Sequence, residues 1–177
     1  MTLSPEPSAS ANRGYTFTIE SEPDPQSQDE ISAFLTEHWG EPNIVSRGKV
    51  TDASSLPRVI ARDTDGFLVG LATYHLGENE SCELVSIDAT IQSIGIGSGL
   101  LNRVERIAKE AGCHTIWLIT TNNNTAAQEF YTHKGYKRVA IHKNALERSR
   151  QLKPGIPTHD ENGVPISDEW EYQKNLV

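Results

Sequence analysis

"QSIGIGSGLLNRVERIAKEAG", residues 92–112, places three glycines (Gly95, Gly97 and Gly99) within five positions and runs at once into an amphipathic segment. Leu100, Leu101, Val104, Ile107, Ala108 and Ala111 recur at helical spacing, and Gly112 supplies the stop. Glycine in a helix costs about 1 kcal/mol relative to alanine, so three at the entry call for a compensating role. The first turn of a helix presents free N–H groups and the positive end of its dipole. Glycines there remove the Cβ atoms that would hold an anion's oxygens away from those amides. The glycines alone leave two readings open: a sharp strand-to-helix turn, or an anion cradle.

The segments on either side set the fold. Upstream, "RVIARD" (58–63), "FLVGLATYHL" (67–76) and "SCELVSID" (81–88) are separated by "TDG" and "GENE", which predicts a three-stranded antiparallel meander. Downstream, "TIWLITT" (115–121) is a short apolar run and predicts a strand buried on both faces. "NNN" then opens a helix carrying Ala127, Phe130 and Tyr131, closed by Gly135, and "YKRVAIHK" predicts a further strand. Residues 144–152 predict a short helix, and a turn-rich stretch leads to a last strand in "DEWEYQKNL". Nearer the amino end, "YTFTIE" (15–20) alternates as a first strand. Ser27 and Glu30 form a capping-box pattern before Ile31, Phe34, Leu35, His38 and Trp39, which share one helical face. Residues 43–56, "NIVSRGKVTDASSL", show no clean period and predict a long loop or short helix. The resulting order is α+β, with a central mixed, mostly antiparallel sheet flanked by helices.

Length and composition narrow the class. At 177 residues the chain is expected to form one domain over 15–177, behind a Ser-, Pro- and Ala-rich stretch (1–14) that reads as a disordered leader. That leader lacks a basic start and an apolar core, so it does not read as a secretory signal. No apolar run approaches the roughly 18–20 residues of a membrane span. The net charge of -8 argues against a nucleic-acid backbone as partner. Cys82 and Cys113 read as two core thiols of a reducing cytoplasm. The six histidines are scattered without ligand spacing, so no metal site is expected.

Two nucleotide motifs are excluded by inspection. No Gly-x-x-x-x-Gly-Lys-Ser/Thr string exists, and counting Gly-x-Gly-x-x-Gly from Gly95 brings the third glycine to Leu100. What fits instead is Gln92-x-x-Gly95-x-Gly97, which resembles the Arg/Gln-x-x-Gly-x-Gly/Ala signature of the GNAT superfamily of acyl-CoA-dependent N-acyltransferases. "NNNTAAQEFYTHKGYKRV" resembles that family's second landmark, carried here by Asn124, Ala127, Tyr131 and the pair Gly135-Tyr136. The two motifs stand in the family's order with a strand between them, and the resemblance covers roughly residues 15–143. Residues 143–177 extend beyond the minimal fold.

The resemblance implies an opening between the family's fourth and fifth strands that holds acetyl-CoA. Ile87 and Ala89 would flank its pantetheine arm, and the backbone from Gln92 through Ser93, Ile94, Gly95, Ile96 and Gly97 to Ser98 and Gly99 would cradle its pyrophosphate. Tyr131 matches the tyrosine that faces the CoA sulfur in many members, and a hydroxyl with an ordinary pKa near 10 suits protonation of a thiolate. Glu83, a carboxylate inside an apolar strand, is the candidate general base, since such a residue is otherwise costly to place there. Asn124 either orients the cofactor arm or caps the helix it precedes. Trp39 and Arg47 fall where the family's variable acceptor-binding segments lie, and Arg47 suits a carboxylate on the acceptor. Many members carry Pro and Gly where this chain has Ala89 and Ser93, which implies a less constrained loop. The expected activity is transfer of an acetyl group to a small amine by direct attack, in a monomer or homodimer. A non-catalytic CoA-binding sensor is the alternative.

Overall fold

The computed structural model describes residues 14–22 and 28–176; residues 1–13 of the expected leader (1–14) and Ser27 of the capping-box pattern lie outside them. In chain order the first elements are β1 (Phe17–Glu22), α1 (Gln28–Trp39), β2 (Asn43–Ser46), β3 (Lys49–Asp52), β4 (Arg58–Asp63), β5 (Leu68–Leu76) and β6 (Ser81–Ala89). They are followed by α2 (Ile96–Glu110), β7 (Thr115–Thr121), α3 (Thr125–His133), β8 (Lys137–His142), α4 (Ala145–Leu152) and β9 (Glu169–Asn175).

Seven strands form one sheet in the order β1-β4-β5-β6-β7-β9-β8. Every neighbouring pair is antiparallel except β6–β7. The expected α+β class and mixed, mostly antiparallel sheet are therefore observed. β9 is made after β8 yet inserts between β7 and β8, pairing Thr121 with Glu169 on one side and His142 with Glu169 on the other.

The two faces of the meander carry separate cores. On one, Leu100, Leu101, Val104 and Ala108 of α2 are fully buried among residues that include Val59, Ala61 and Ala72. On the other, Ile31 and Leu35 of α1 pack with Ile60 and Leu71. Each such aliphatic side chain contributes about 1.5–3 kcal/mol when withdrawn from water. The seat of α2 depends on Gly70 of β5, where a Cβ would stand 2.5 Å from Ile96 Cγ2 and 3.1 Å from Leu100 Cδ1.

Two sequence expectations are corrected. Residues 43–56 are neither a long loop nor a short α-helix: β2 and β3 pair as a hairpin, with Val45 opposite Val50, and a single 3₁₀ turn follows at Ala53–Ser55. Arg47 and Gly48 form the two-residue turn, with φ of 51° and 69°, the left-handed pair that matches strand twist in a tight hairpin. β7 is buried on one face rather than two. Ile116, Leu118 and Thr120 are covered, whereas Thr115, Trp117, Ile119 and Thr121 are half-buried. Trp117, Ile119 and Thr121 of the half-buried row line a groove.

Candidate active site

β6 and β7 pair only from Ser81–Glu83 to Thr115–Trp117 and then part. The parting opens a cavity of about 460 Å³, bounded by β6, the entry to α2, the end of β7 and α3. Ile87, Ala89, Gln92, Ser93, Gly95, Ile96, Gly97 and Ser98 line it, as do Asn124 and Tyr131. Ten of the residues expected to meet the cofactor are thus brought to one cavity.

The loop 90–95 takes its shape from two left-handed residues, Ser93 (φ 63°) and Gly95 (φ 96°). Ser93 occupies a position where the resemblance implies glycine in many members, and its left-handed backbone is one that glycine suits. The Gln92 side chain turns inward and donates from Nε2 to the Ala89 carbonyl at 3.0 Å, fastening the loop to the strand it leaves. The backbone amides of residues 95–98 donate to no acceptor among the described residues. They are the orphan donors of a helix start.

Two residues of the expected cradle stand off the cavity wall, Gly99 by its amide and Ile94 by its side chain. The Gly99 amide donates to the Gly95 carbonyl at 2.9 Å, so it is already committed. A Cβ on Gly99 would meet Ile19 at 3.2 Å, so this glycine lets α2 approach β1. Ile94 turns toward the core cluster instead of the cavity.

Tyr131 is buried in α3, its ring edge-on to Phe130 (5.3 Å) and to Tyr136 (5.6 Å). Its hydroxyl makes no hydrogen bond among the described residues. Burial, reinforced by the charge of Asp88, raises its pKa, so the phenol stays protonated at neutral pH. Asn124 is the N-cap of α3, its Oδ1 accepting from the Ala127 amide at 3.1 Å. Capping is therefore established for Asn124, and its place on the cavity wall leaves a contact with the cofactor open to it.

Glu83 lies elsewhere, at the closed apex of the β6–β7 opening. It lines a second groove of about 510 Å³ between the β2–β3 hairpin and the sheet, together with Arg47, Lys49, Trp117 and Glu169. Burial raises its pKa; His75, Lys49 and Arg47 oppose the shift, and Glu171 adds to it. Trp39, Leu84, Val85, Ile119, Thr120 and Asn124 line both cavities, so the two adjoin. Glu83 and Ile87 are four residues apart on one strand, about 13 Å.

Trp39 is 40% exposed at the end of α1 and is not a core residue; its Nε1 donates to Asp88 Oδ2 at 2.6 Å. Asp88 is a site residue that the motifs do not reveal. Burial raises its pKa against the opposing effects of the Trp39 hydrogen bond and His38, and it lines the first cavity. The signal was the one that picked out Glu83, a carboxylate within an apolar strand. Arg47 sits at the hairpin tip with its guanidinium 5.7 Å from the Trp117 ring centroid and 3.8 Å from Glu171. Its amide donates to Glu169 at 2.9 Å. No group of three or more His, Cys, Asp or Glu side chains converges as a metal site among the described residues.

Residues 15–136 match the family model described as Acetyltransferase (GNAT) family. The chain belongs to the GNAT acetyltransferase family. A GNAT-family assignment agrees with the cavity between β6 and β7. Among curated proteins, the uncharacterized protein YdhI of Bacillus subtilis (strain 168) is 39% identical over 144 residues, covering 81% of this chain and 89% of that protein. A Bacillus subtilis acetyltransferase solved in complex with CoA shares the fold at TM-score 0.61 and 19% identity, covering 92% of this chain and 99% of that one. A GNAT family acetyltransferase from Elizabethkingia anophelis with acetyl-CoA bound aligns at TM-score 0.61 and 19% identity, over 93% of this chain and 99% of that one.

Proposed function

We propose that this GNAT acetyltransferase takes its acetyl group from acetyl-CoA and passes it directly to the amine of a small acceptor. The observation that carries the reading is the meeting, in one cavity, of four uncommitted amides at a helix start, a parted strand pair and a buried protonated tyrosine. The two solved acetyltransferases holding CoA or acetyl-CoA support the choice of cofactor.

Acetyl-CoA supplies an activated thioester. The amides of Gly95 to Ser98 and the dipole of α2 take up diphosphate charge, and the unpaired edge of β6 at Ile87 and Ala89 receives the amide-bearing arm. Trp39 walls the junction of the two cavities, and Arg47 closes the acceptor side. The acceptor nitrogen forms its bond to the acyl carbon as the carbon–sulfur bond breaks. Tyr131 gives its proton to the departing sulfur, and Glu83 removes the surplus proton from nitrogen through water.

Thermal unfolding with acetyl-CoA, ATP and NAD tests the cofactor. At about 100 times its dissociation constant, acetyl-CoA should add about 2.7 kcal/mol, a rise in Tm of roughly 5–11 °C, while ATP and NAD give none. Release of free thiol with an amine panel then tests turnover. Binding without any thiol release would leave a CoA-binding sensor as the reading.

A further inference from the structure

Beside the acceptor groove lies a chamber of about 740 Å³, formed where the β2–β3 turn faces the start of α4. Arg47 and Glu169 line both spaces, so the chamber continues the groove away from the acyl end. Its walls carry Arg47, Lys143 and Arg148, three cations on a chain whose net charge is -8; Arg47 also stands 3.8 Å from Glu171, the carboxylate that His142 of the same wall meets at 2.8 Å. Arg148 is placed by packing: its aliphatic stem crosses Gly48, where a Cβ would stand 2.6 Å from Arg148 Cδ. Neither Arg148 nor Lys143 has an ion-pair or hydrogen-bond partner among the described residues. Two carboxylates also face the chamber. Glu147 stands exposed at its rim, and Glu169 is buried in its floor, where the Arg47 amide and the Ser149 hydroxyl already donate to it.

We infer that this chamber is a subsite for an anionic group, a carboxylate or phosphate, carried by the acceptor at a distance from its reacting amine. The inference rests on the acyltransfer reading above and adds the acceptor's chemical class. Registers set the spacing between the proposed base and the chamber floor: Glu83 pairs with Trp117, and Thr121, four residues along β7, pairs with Glu169 one strand further. Two interstrand steps and four residues amount to about 16 Å between backbone positions. An α-amino acid, whose amine and carboxylate flank one carbon, cannot reach both ends. An ω-amino acid or a short peptide with a free carboxylate can.

The test compares acetylation of 8-aminooctanoate, 8-aminooctanamide and glycine, with calorimetry of the product 8-acetamidooctanoate and its amide as a readout independent of turnover. The expected result is that 8-aminooctanoate exceeds its amide about tenfold in kcat/KM, as a charge-assisted hydrogen bond warrants, and that glycine is poor. The advantage of acid over amide should vanish in Arg148→Ala and persist in Arg148→Lys. If amines are acetylated with no preference for the acid and 8-acetamidooctanoate binds no better than its amide, the subsite is wrong and the acyltransfer reading stands. If no amine is acetylated but 8-acetamidooctanoate binds wild type and not Arg148→Ala, the subsite stands and acyltransfer falls. Absence of both turnover and binding sinks the two together.

Discussion

In the proposed mechanism Tyr131 and Glu83 have opposite requirements of protonation, and their surroundings push both pKa values upward. For Tyr131 the shift keeps the donor form in place throughout the neutral range. Tyr131→Phe should retain the fold and the Tm shift with acetyl-CoA while turnover falls about a hundredfold or more; unchanged turnover would remove the tyrosine from the chemistry. For Glu83 the working form is the ionised one, so activity should fall as pH drops through its raised pKa, above the ordinary carboxylate range. Glu83→Gln should be slow and should lose that acidic limb, while the rise from deprotonation of the free amine remains in both proteins. A limb that survives in Glu83→Gln would assign it to another group, with Asp88 the first to examine. Ser93 offers a third residue-scale prediction. Its φ of 63° costs a non-glycine residue of order 1 kcal/mol, so Ser93→Gly should raise Tm slightly in thermal melts. The motif residues were legible because backbone chemistry demands glycine or a helix cap at fixed spacing. The partner of Asp88 and the packing of Gly99 were not, because both depend on residues distant in sequence, Trp39 and Ile19.

At the scale of elements, the meander and the two principal helices follow from period alone, since alternation and helical spacing act within a few residues. The β2–β3 hairpin escaped because its strands are four residues each and one face is polar. The usable signal was Arg47-Gly48 between two short alternations, with glycine at a position that needs a left-handed backbone. Burial of β7 was overestimated for a related reason: an apolar run cannot report that one of its faces lines a groove. The docking of α2 gives a prediction at this scale. Gly70→Ala would drive a methyl into Ile96 and Leu100 and should destabilise by about 1–3 kcal/mol. Chemical denaturation would show it, and weaker acetyl-CoA binding should accompany it because Ile96 opens the helix that forms the cradle. A neutral Gly70→Ala would mean that α2 shifts without consequence for the site.

In the whole molecule, the two cores and the sheet between them make the cysteines reporters of global opening. Cys82 is fully buried, with its thiol pushed up to about 12 by burial and by the charges of Cys113 and Glu83. Cys113 is buried on the same side of the sheet and is likewise raised. Thiolate is the reactive form, so iodoacetamide should leave both untouched in native protein and modify both on unfolding. Rapid native labelling of either would show that part of this core opens separately. The insertion of β9 between β7 and β8 has a further consequence, in the time order of synthesis. A ribosome completes β8 and α4 before β9 emerges, yet β8 touches the sheet only through β9. The nascent chain therefore carries β8 as an unpaired edge, with Val139 and Ile141 exposed on it, until the later strand threads into the gap. The chamber, whose floor is Glu169 of that strand, comes into being only once β9 has paired on both sides.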